Sequence, residues 1–274
     1  MFTLNCKGRL LVIDKPIVMG ILNITPDSFY SGSRQLLIDN ALVKAEQMVK
    51  EGATILDIVV QSTRPGSIHL SIDQELDRIL PAVTAIHSQF PAILLSIDTF
   101  YAKVALQAVE RGASIVNDIS GGNFDAEMMA IVGSLQVPYI CMHMKGNRDT
   151  LHSPTIFGNI TVEVIDYFIQ KLMKCKQAGI KDIIIDPGFG FSKTIEQNFE
   201  LIKELESFQI LKRPILLGIS RKSGIYKTLG ITAKESLNGS TVLHTAGLIK
   251  GANILRVHDV KEAMEAITLT ELLR

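Results

Sequence analysis

The stretch AILLSIDTFYAKVALQAVERGASIVNDI, residues 92–119, decides the fold. It opens on a nearly continuous apolar run, AILLSID, and returns to a second one, SIVNDI. Such runs mark strands covered on both faces, as in a parallel sheet. Between them Ala105, Ala108 and Val109 recur at the helical period. Gly112 then follows Arg111, where a glycine accepts the left-handed backbone that ends a helix.

Working outward, the same unit recurs along the whole chain. Further apolar runs read IVMGILNI (17–24), ATILDIVV (53–60), PYICMHM (138–144), DIIIDPG (182–188), PILLGIS (214–220) and ANILRVH (252–258), making eight. Leu42, Ala45, Met48 and Val49 keep the helical period after the first run, and Val164, Phe168, Leu172 and Met173 after the fifth. Gly52, Gly179 and Gly251 repeat the stop signal of Gly112. Eightfold strand–helix alternation predicts an α/β fold, a (β/α)8 TIM barrel. The rival, a doubly wound open sheet, has fewer strands and a glycine-rich turn after the first. Here the first run leads into Asn23-Ile24-Thr25-Pro26 instead. Residues before Lys15 are expected to form a short N-terminal β-hairpin that closes the bottom of the barrel. No Gly/Ser/Pro linker interrupts the chain, so 1–274 reads as one barrel domain.

Composition narrows the function classes. Hydrophobic residues make up 47% and charged residues 20%, enough for a large core. Lys+Arg and Asp+Glu balance at 28 each, which argues against a nucleic-acid or membrane-surface binder. Cys6, Cys141 and Cys175 are too few and too scattered for a disulfide framework or a zinc site. The N-terminus has no secretory h-region, and no run reaches the roughly 18 apolar residues of a membrane span. A reduced, cytoplasmic protein is expected.

In a barrel of this kind the active site lies at the C-terminal ends of the strands. Polar residues gather there. The runs end in Asn23, in Gln61-Ser62-Thr63-Arg64-Pro65-Gly66, in Asp98-Thr99, in Asn117-Asp118, around Met142-His143, at Asp186, in Ser220-Arg221-Lys222 and in Arg256-Val257-His258. Alternation puts Arg256 and His258 on one face, sends Asn117 and Asp118 opposite ways, and turns His143 away from Met142. Ser220 and Lys222 share a face if the strand continues that far. Asp118 is expected to cap a helix or pair with a lysine, and Arg221 to be structural or dimer-facing. Asn23, Thr63, Arg64, Ser220, Arg256 and His258 are neutral and positive donors suited to a diphosphate. Asp98, Asn117, Asp186 and Lys222 combine acceptors and donors. A buried carboxylate can take two parallel hydrogen bonds from an amino group beside a ring N–H. The residues alone therefore point to a flat nitrogen heterocycle with a phosphorylated arm.

The segments MGILNITPDSF, STRPGS, SIDTFYAKVALQAVERGASIVNDISGG, MHMKG, IIIDPGFGFSKT, LGISRKS and ILRVHDV, in this order, resemble the motifs of the dihydropteroate synthase family from about Pro16 to Ala266. The resemblance implies a transferase of folate biosynthesis. Such an enzyme joins 6-hydroxymethyl-7,8-dihydropterin diphosphate to p-aminobenzoate, which sulfonamides mimic. It further implies a cytoplasmic homodimer that uses Mg2+ and a dissociative displacement. Its partners are small-molecule substrates. By the same resemblance Asp98, Asn117, Met142, Asp186, Phe191, Lys222 and Arg256 hold the pterin. Asn23, Thr63, Arg64, Ser220, Arg256 and His258 bind diphosphate, and Asn23 coordinates the metal. Thr25, Pro26, Phe29, Arg64, Pro65, Lys222 and Ser223 shape the p-aminobenzoate site. Asp98, Lys222, Arg256 and His258 are the expected catalytic residues.

The chain departs from the family pattern in two places. Val59, Val60 and Gln61 stand where two small residues and an acid are usual, and Ser31 and Ser33 replace an aspartate and a glycine. Extra bulk at the first place is expected to alter packing under the second loop. The lost aspartate is expected to weaken p-aminobenzoate binding. Alternatives are a pterin-dependent methyltransferase, an inactive or repurposed pterin-binding paralogue, and a barrel aldolase using Lys222 as a Schiff base. The diphosphate donors argue against the first. Lys222 is not buried within a strand, which argues against the last.

Overall fold

The computed structural model describes residues 1–24, 34–61, 70–151, 153, 155 and 157–273. Thr25, Pro26, Phe29, Ser31, Ser33, Thr63, Arg64 and Pro65 lie outside the described residues.

Two strands, β1 (Phe2–Cys6) and β2 (Arg9–Ile13), pair antiparallel as the expected hairpin. The barrel strands follow: β3 (Ile17–Asn23), β4 (Ile55–Val59), β5 (Leu94–Asp98), β6 (Ile115–Asp118), β7 (Tyr139–Met142), β8 (Ile183–Asp186), β9 (Leu216–Leu217) and β10 (Ile254–Val257). All pair parallel, in the spatial order β8-β7-β6-β5-β4-β3-β10-β9. One parallel bridge, Ile185 with Ile215, joins the two ends of that order and closes the ring. Between the strands run α1 (Arg34–Lys50), α2 (Ile72–Gln89), α3 (Ala102–Glu110), α4 (Met128–Leu135), α5 (Ile160–Gln177) and α6 (Ile195–Lys203). A short α7 (Ser223–Leu229) precedes α8 (Leu237–Ile249), and α9 (Val260–Glu271) follows the last strand.

The run 214–220 yields only the two-residue β9. Pro214 has no N–H to give to a ladder. Downstream, Arg221 adopts a left-handed backbone, φ +55°, which ends any extended geometry. Its guanidinium forks onto Asp259, with Nε–Oδ2 at 2.8 Å and Nη2–Oδ1 at 2.7 Å. A bidentate charge-assisted pair of this kind can hold a strained residue in place. Arg221 is thus structural, and the shared face expected for Ser220 and Lys222 does not arise from a strand.

Alternation along the strands builds two cores. Val18, Leu22, Leu56, Ile58, Leu95, Ile97, Val116 and Cys141 point outward and pack with the helices. Met19, Ile55, Leu94, Ile115, Ile140, Ile184, Leu216 and Ile254 point inward and fill the lower barrel. Leu4, Cys6, Leu11 and Ile13 of the hairpin belong to this second core. The hairpin is fixed there by Asp182, whose carboxylate accepts the Asn5 N–H at 2.8 Å, and by Lys7, whose Nζ donates to the Val109 carbonyl at 2.6 Å. It therefore closes the bottom, as expected. Among the described residues no helix is long and apolar enough to cross a membrane.

Candidate active site

On most strands the inward face changes character two residues above the apolar plug, while β3 and β7 stay apolar there with Ile21 and Met142. Ile55 is followed by Asp57, Leu94 by Ser96, Ile115 by Asn117, Ile140 by Met142, Ile184 by Asp186, Leu216 by Gly218 and Ile254 by Arg256. One step higher stand Asp98 and the exposed Asn23. Period-two alternation thus places the polar layer on a closed apolar floor.

Arg256 organises this layer. Its Nε donates to Asp57 Oδ2 at 2.7 Å, and its Nη2 lies 2.6 Å from both Asp57 Oδ2 and Asp98 Oδ2. Asn117 Nδ2 donates to the same Asp57 oxygen at 3.1 Å. Burial pushes the Asp98 carboxyl up to about 7; Arg256 opposes the rise and Asp57 adds to it. Burial also raises Asp186, against the pull of Lys222 and the Gly188 N–H. For Arg256 burial disfavours the charge, but Asp57 and Asp98 outweigh it and hold the guanidinium firmly protonated. Asp57 Oδ1 and Ser96 Oγ, both buried, have no hydrogen-bond partner among the described residues.

Two strands round the ring from Arg256 stands Asp186, whose Oδ1 accepts the Gly188 N–H at 2.8 Å. A Cβ on Gly218 would sit 3.7 Å from Asp186 Oδ2 and 3.9 Å from Arg256 Cβ, so the bare glycine leaves a slot between them. Met142 and Phe191 join Phe100, Ile119, Met144 and Leu151 in an apolar cluster at the same mouth. Lys222 is the N-cap of α7; its Nζ donates to the Phe189 carbonyl and lies 4.5 Å from the Phe191 ring centre. Burial brings this lysine down to about 8, though Asp186 works the other way. Ser220 Oγ lies 3.1 Å from His258 Nδ1 and accepts the His258 N–H at 3.2 Å. Ser223 opens α7 beside Lys222.

The mouth therefore brings together Asn23, Asp98, Asn117, Met142, Asp186, Phe191, Ser220, Lys222, Ser223, Arg256 and His258. Asn117 and Asp118 do point opposite ways. Among the described residues Asp118 neither caps a helix nor forms an ion pair with a lysine, though its charge favours the Lys171 ammonium: it accepts from Ser120 N–H and Oγ, Gly122 N–H and Tyr139 Oη. His143 faces Tyr167, with ring centres 4.8 Å apart, and burial drives it down to about 2. Val59 and Val60 are buried, and Gln61 Oε1 accepts the Leu70 N–H at 3.0 Å across residues 62–69. The residue that sequence reasoning missed is Asp57. A charge within the apolar run ATILDIVV, two positions above an inward isoleucine, was the available signal.

A polar slot on an apolar floor, lined by carboxylates, an amide and cations, is what a (β/α)8 enzyme for a planar nitrogen heterocycle presents. The pterin-binding enzymes match this chain over residues 19–258. The dihydropteroate synthase of Escherichia coli (strain K12) is 38% identical over 270 residues, covering 98% of this chain and 95% of that one. The solved structure of Xanthomonas albilineans dihydropteroate synthase with 4-aminobenzoic acid superposes with a TM-score of 0.91 at 35% identity, covering 99% and 97% of the two chains. That of the same protein in complex with 7,8-dihydropteroate gives 0.89 at 32% identity, covering 99% and 98%. The chain belongs to the pterin-binding enzyme family and, within it, to the dihydropteroate synthases.

Proposed function

We propose that this chain condenses 6-hydroxymethyl-7,8-dihydropterin diphosphate with p-aminobenzoate, giving 7,8-dihydropteroate and diphosphate in folate biosynthesis. The observation that carries the reading is the slot between Asp186 and Arg256, floored by apolar side chains and flanked by Asp98, Asn117 and Lys222. A pterin edge, with an amino group beside a ring N–H, offers two parallel donors to the Asp186 carboxylate. Asn117 and Lys222 complete the edge, Met142 and Phe191 wall the ring, and Arg256 lies over its face.

The bond between the pterin methylene and diphosphate oxygen breaks first, and the electron pair leaves with diphosphate. The arylamine nitrogen then attacks the methylene cation and loses a proton to solvent. No covalent enzyme intermediate is required, so the residues act by position and electrostatics. Asp98 stabilises positive charge spreading into the pterin. Ser220, His258, Thr63 and Arg64 receive the diphosphate. Thr25, Pro26, Phe29, Arg64, Pro65, Lys222 and Ser223 frame p-aminobenzoate, and sulfonamides would compete there.

Asn23 fits a Mg2+ ion. It offers an exposed, uncharged side-chain oxygen, a hard ligand of the kind this ion takes. Mg2+ commonly takes few protein ligands and completes its shell from phosphate oxygens and water. When bound, it supplies charge neutralisation on the departing diphosphate. The reading includes a single-domain, cytoplasmic homodimer. The test is diphosphate release by purified protein with Mg2+ and both substrates, with dihydropteroate detected by mass. Product that requires both substrates supports the reading. Tight pterin diphosphate binding with no product would instead mark a binding paralogue.

A further inference from the structure

Lys193 lies beyond the turn after β8 and is only 6% exposed. Its ammonium donates to three carbonyls: Gly188 at 3.0 Å, Phe191 at 3.2 Å and His143 at 3.3 Å. An ammonium has three N–H groups and no acceptor, so its hydrogen-bonding capacity is spent on backbone. The three carbonyls come from two loops, those after β7 and after β8.

The junction is tight. Gly188 has φ +73°, and a Cβ there would lie 1.9 Å from the His143 carbonyl oxygen and 3.2 Å from Lys193 Nζ. The Gly188 N–H is the one that holds Asp186 Oδ1, and its carbonyl accepts from Phe191 N–H at 3.2 Å as well as from Lys193. His143 N–H in turn donates to the Asp186 carbonyl at 2.9 Å. One cation thus holds Gly188 by its carbonyl, on the peptide that follows the N–H aimed at the Asp186 carboxylate, and holds the backbone of the Phe191 wall.

We infer that Lys193 is a positioning residue for the pterin slot, setting Asp186 by way of the Gly188 residue, whose carbonyl it holds and whose N–H meets the carboxylate, and setting Phe191 through the Phe191 carbonyl. The inference rests on the reading of Asp186 as the pterin carboxylate. Burial pulls the Lys193 ammonium down to about 7, with Asp186 opposing and Lys222 adding to the fall. The carbonyl cage is what compensates the charge for lost water.

The test is Lys193→Met, which keeps the stem and removes the donors, with Asp186→Asn alongside. Lys193→Met should weaken pterin diphosphate binding in calorimetry by about tenfold to a hundredfold, the scale of a misplaced contact. The KM for p-aminobenzoate at saturating pterin diphosphate should stay within about twofold. A lowered melting temperature with unchanged pterin affinity would reduce Lys193 to a structural tie and overturn the inference. Intact pterin binding in Asp186→Asn would overturn the reading of the slot itself. Should Lys193→Met fail to fold, Lys193→Gln retains two donors. Faster amide exchange over residues 188–192 than in the parent, with weakened pterin binding, then supports the inference; unchanged pterin affinity overturns it.

Discussion

Asp57, not among the candidates named from the sequence, links two that were, Arg256 and Asn117. One of its oxygens receives Arg256 Nε, Arg256 Nη2 and Asn117 Nδ2 together. Removing one partner of a buried ion pair strands the other, whereas an isosteric amide keeps the shape. Asp57→Asn should therefore fold, but with Asn117 and Arg256 less well aimed. We expect kcat/KM for pterin diphosphate to fall by about tenfold to a hundredfold. The same substitution has a signed pH effect. The Asp57 charge raises the Asp98 carboxyl, which burial already places at about 7. Without it Asp98 ionises at lower pH. If charged Asp98 is the active form, the acid limb of the kcat/KM profile should move to lower pH in Asp57→Asn. A stationary limb would show that Asp98 does not control it.

At the level of elements, the helices carry information that the strands do not. α2 begins with a capping box, in which Ser71 accepts the Gln74 N–H and Gln74 reaches back to the Ser71 N–H. Its next residue, Glu75, is fully buried, with the Thr99 side chain beside its carboxylate. Burial raises it from 4.5 to about 7, with Thr99 and Arg148 opposing. Between those two pH values the folded chain holds a proton that the unfolded chain has released. Stability linked to Glu75 is therefore intact below pH 4.5 and is lost as pH rises through about 7. Glu75→Gln removes that loss. Its advantage over the parent in urea unfolding should be near zero at acid pH and approach about 3 kcal/mol above neutrality. A constant difference across pH would refute this. A second helix position is steric. A Cβ on Gly133 of α4 would lie 1.8 Å from the Ala178 carbonyl oxygen at the end of α5. A backbone atom cannot swing aside, so Gly133→Ala should force α4 off α5. The expected loss is about 1–3 kcal/mol, read as a lower melting temperature.

For the whole molecule, the hairpin is the floor of the barrel. Leu4, Cys6, Leu11 and Ile13 each bury against the inward strand residues, a contribution of roughly 1.5–3 kcal/mol for each larger side chain. A chain lacking residues 1–14 should lose its cooperative melt and aggregate through the uncovered plug, and light scattering on heating would report it. The barrel itself was legible because a parallel strand buried on both faces leaves a continuous apolar run. The polar layer was legible because barrel sites sit at strand ends. What the run does not disclose is which alternate set faces inward. Asp57, Asp98, Asp118 and Asp186 are all acids within or at the ends of apolar runs, yet Asp118 serves a turn behind the sheet and Asp57 lies at the centre of the mouth. Inside and outside become distinct only once eight strands share one floor. The short β9 was equally hidden, because its limits depend on Pro214 and on the Arg221–Asp259 pair from another part of the chain.

The ring is closed at one place by a single bridge, Ile185 to Ile215, with the Ile185 N–H on the Pro214 carbonyl at 3.0 Å. Every other junction is a ladder of at least two registered pairs. Asp186 stands on one bank of this seam; Gly218 and Lys222 stand on the other. A stave barrel split along one joint is held shut by its hoop, and in the function proposed above the substrate would be that hoop. A ligand held by both Asp186 and Lys222, as proposed, would span the junction with the fewest registered pairs. On that reading, occupancy would tie the two banks together where the fewest strand pairs do so.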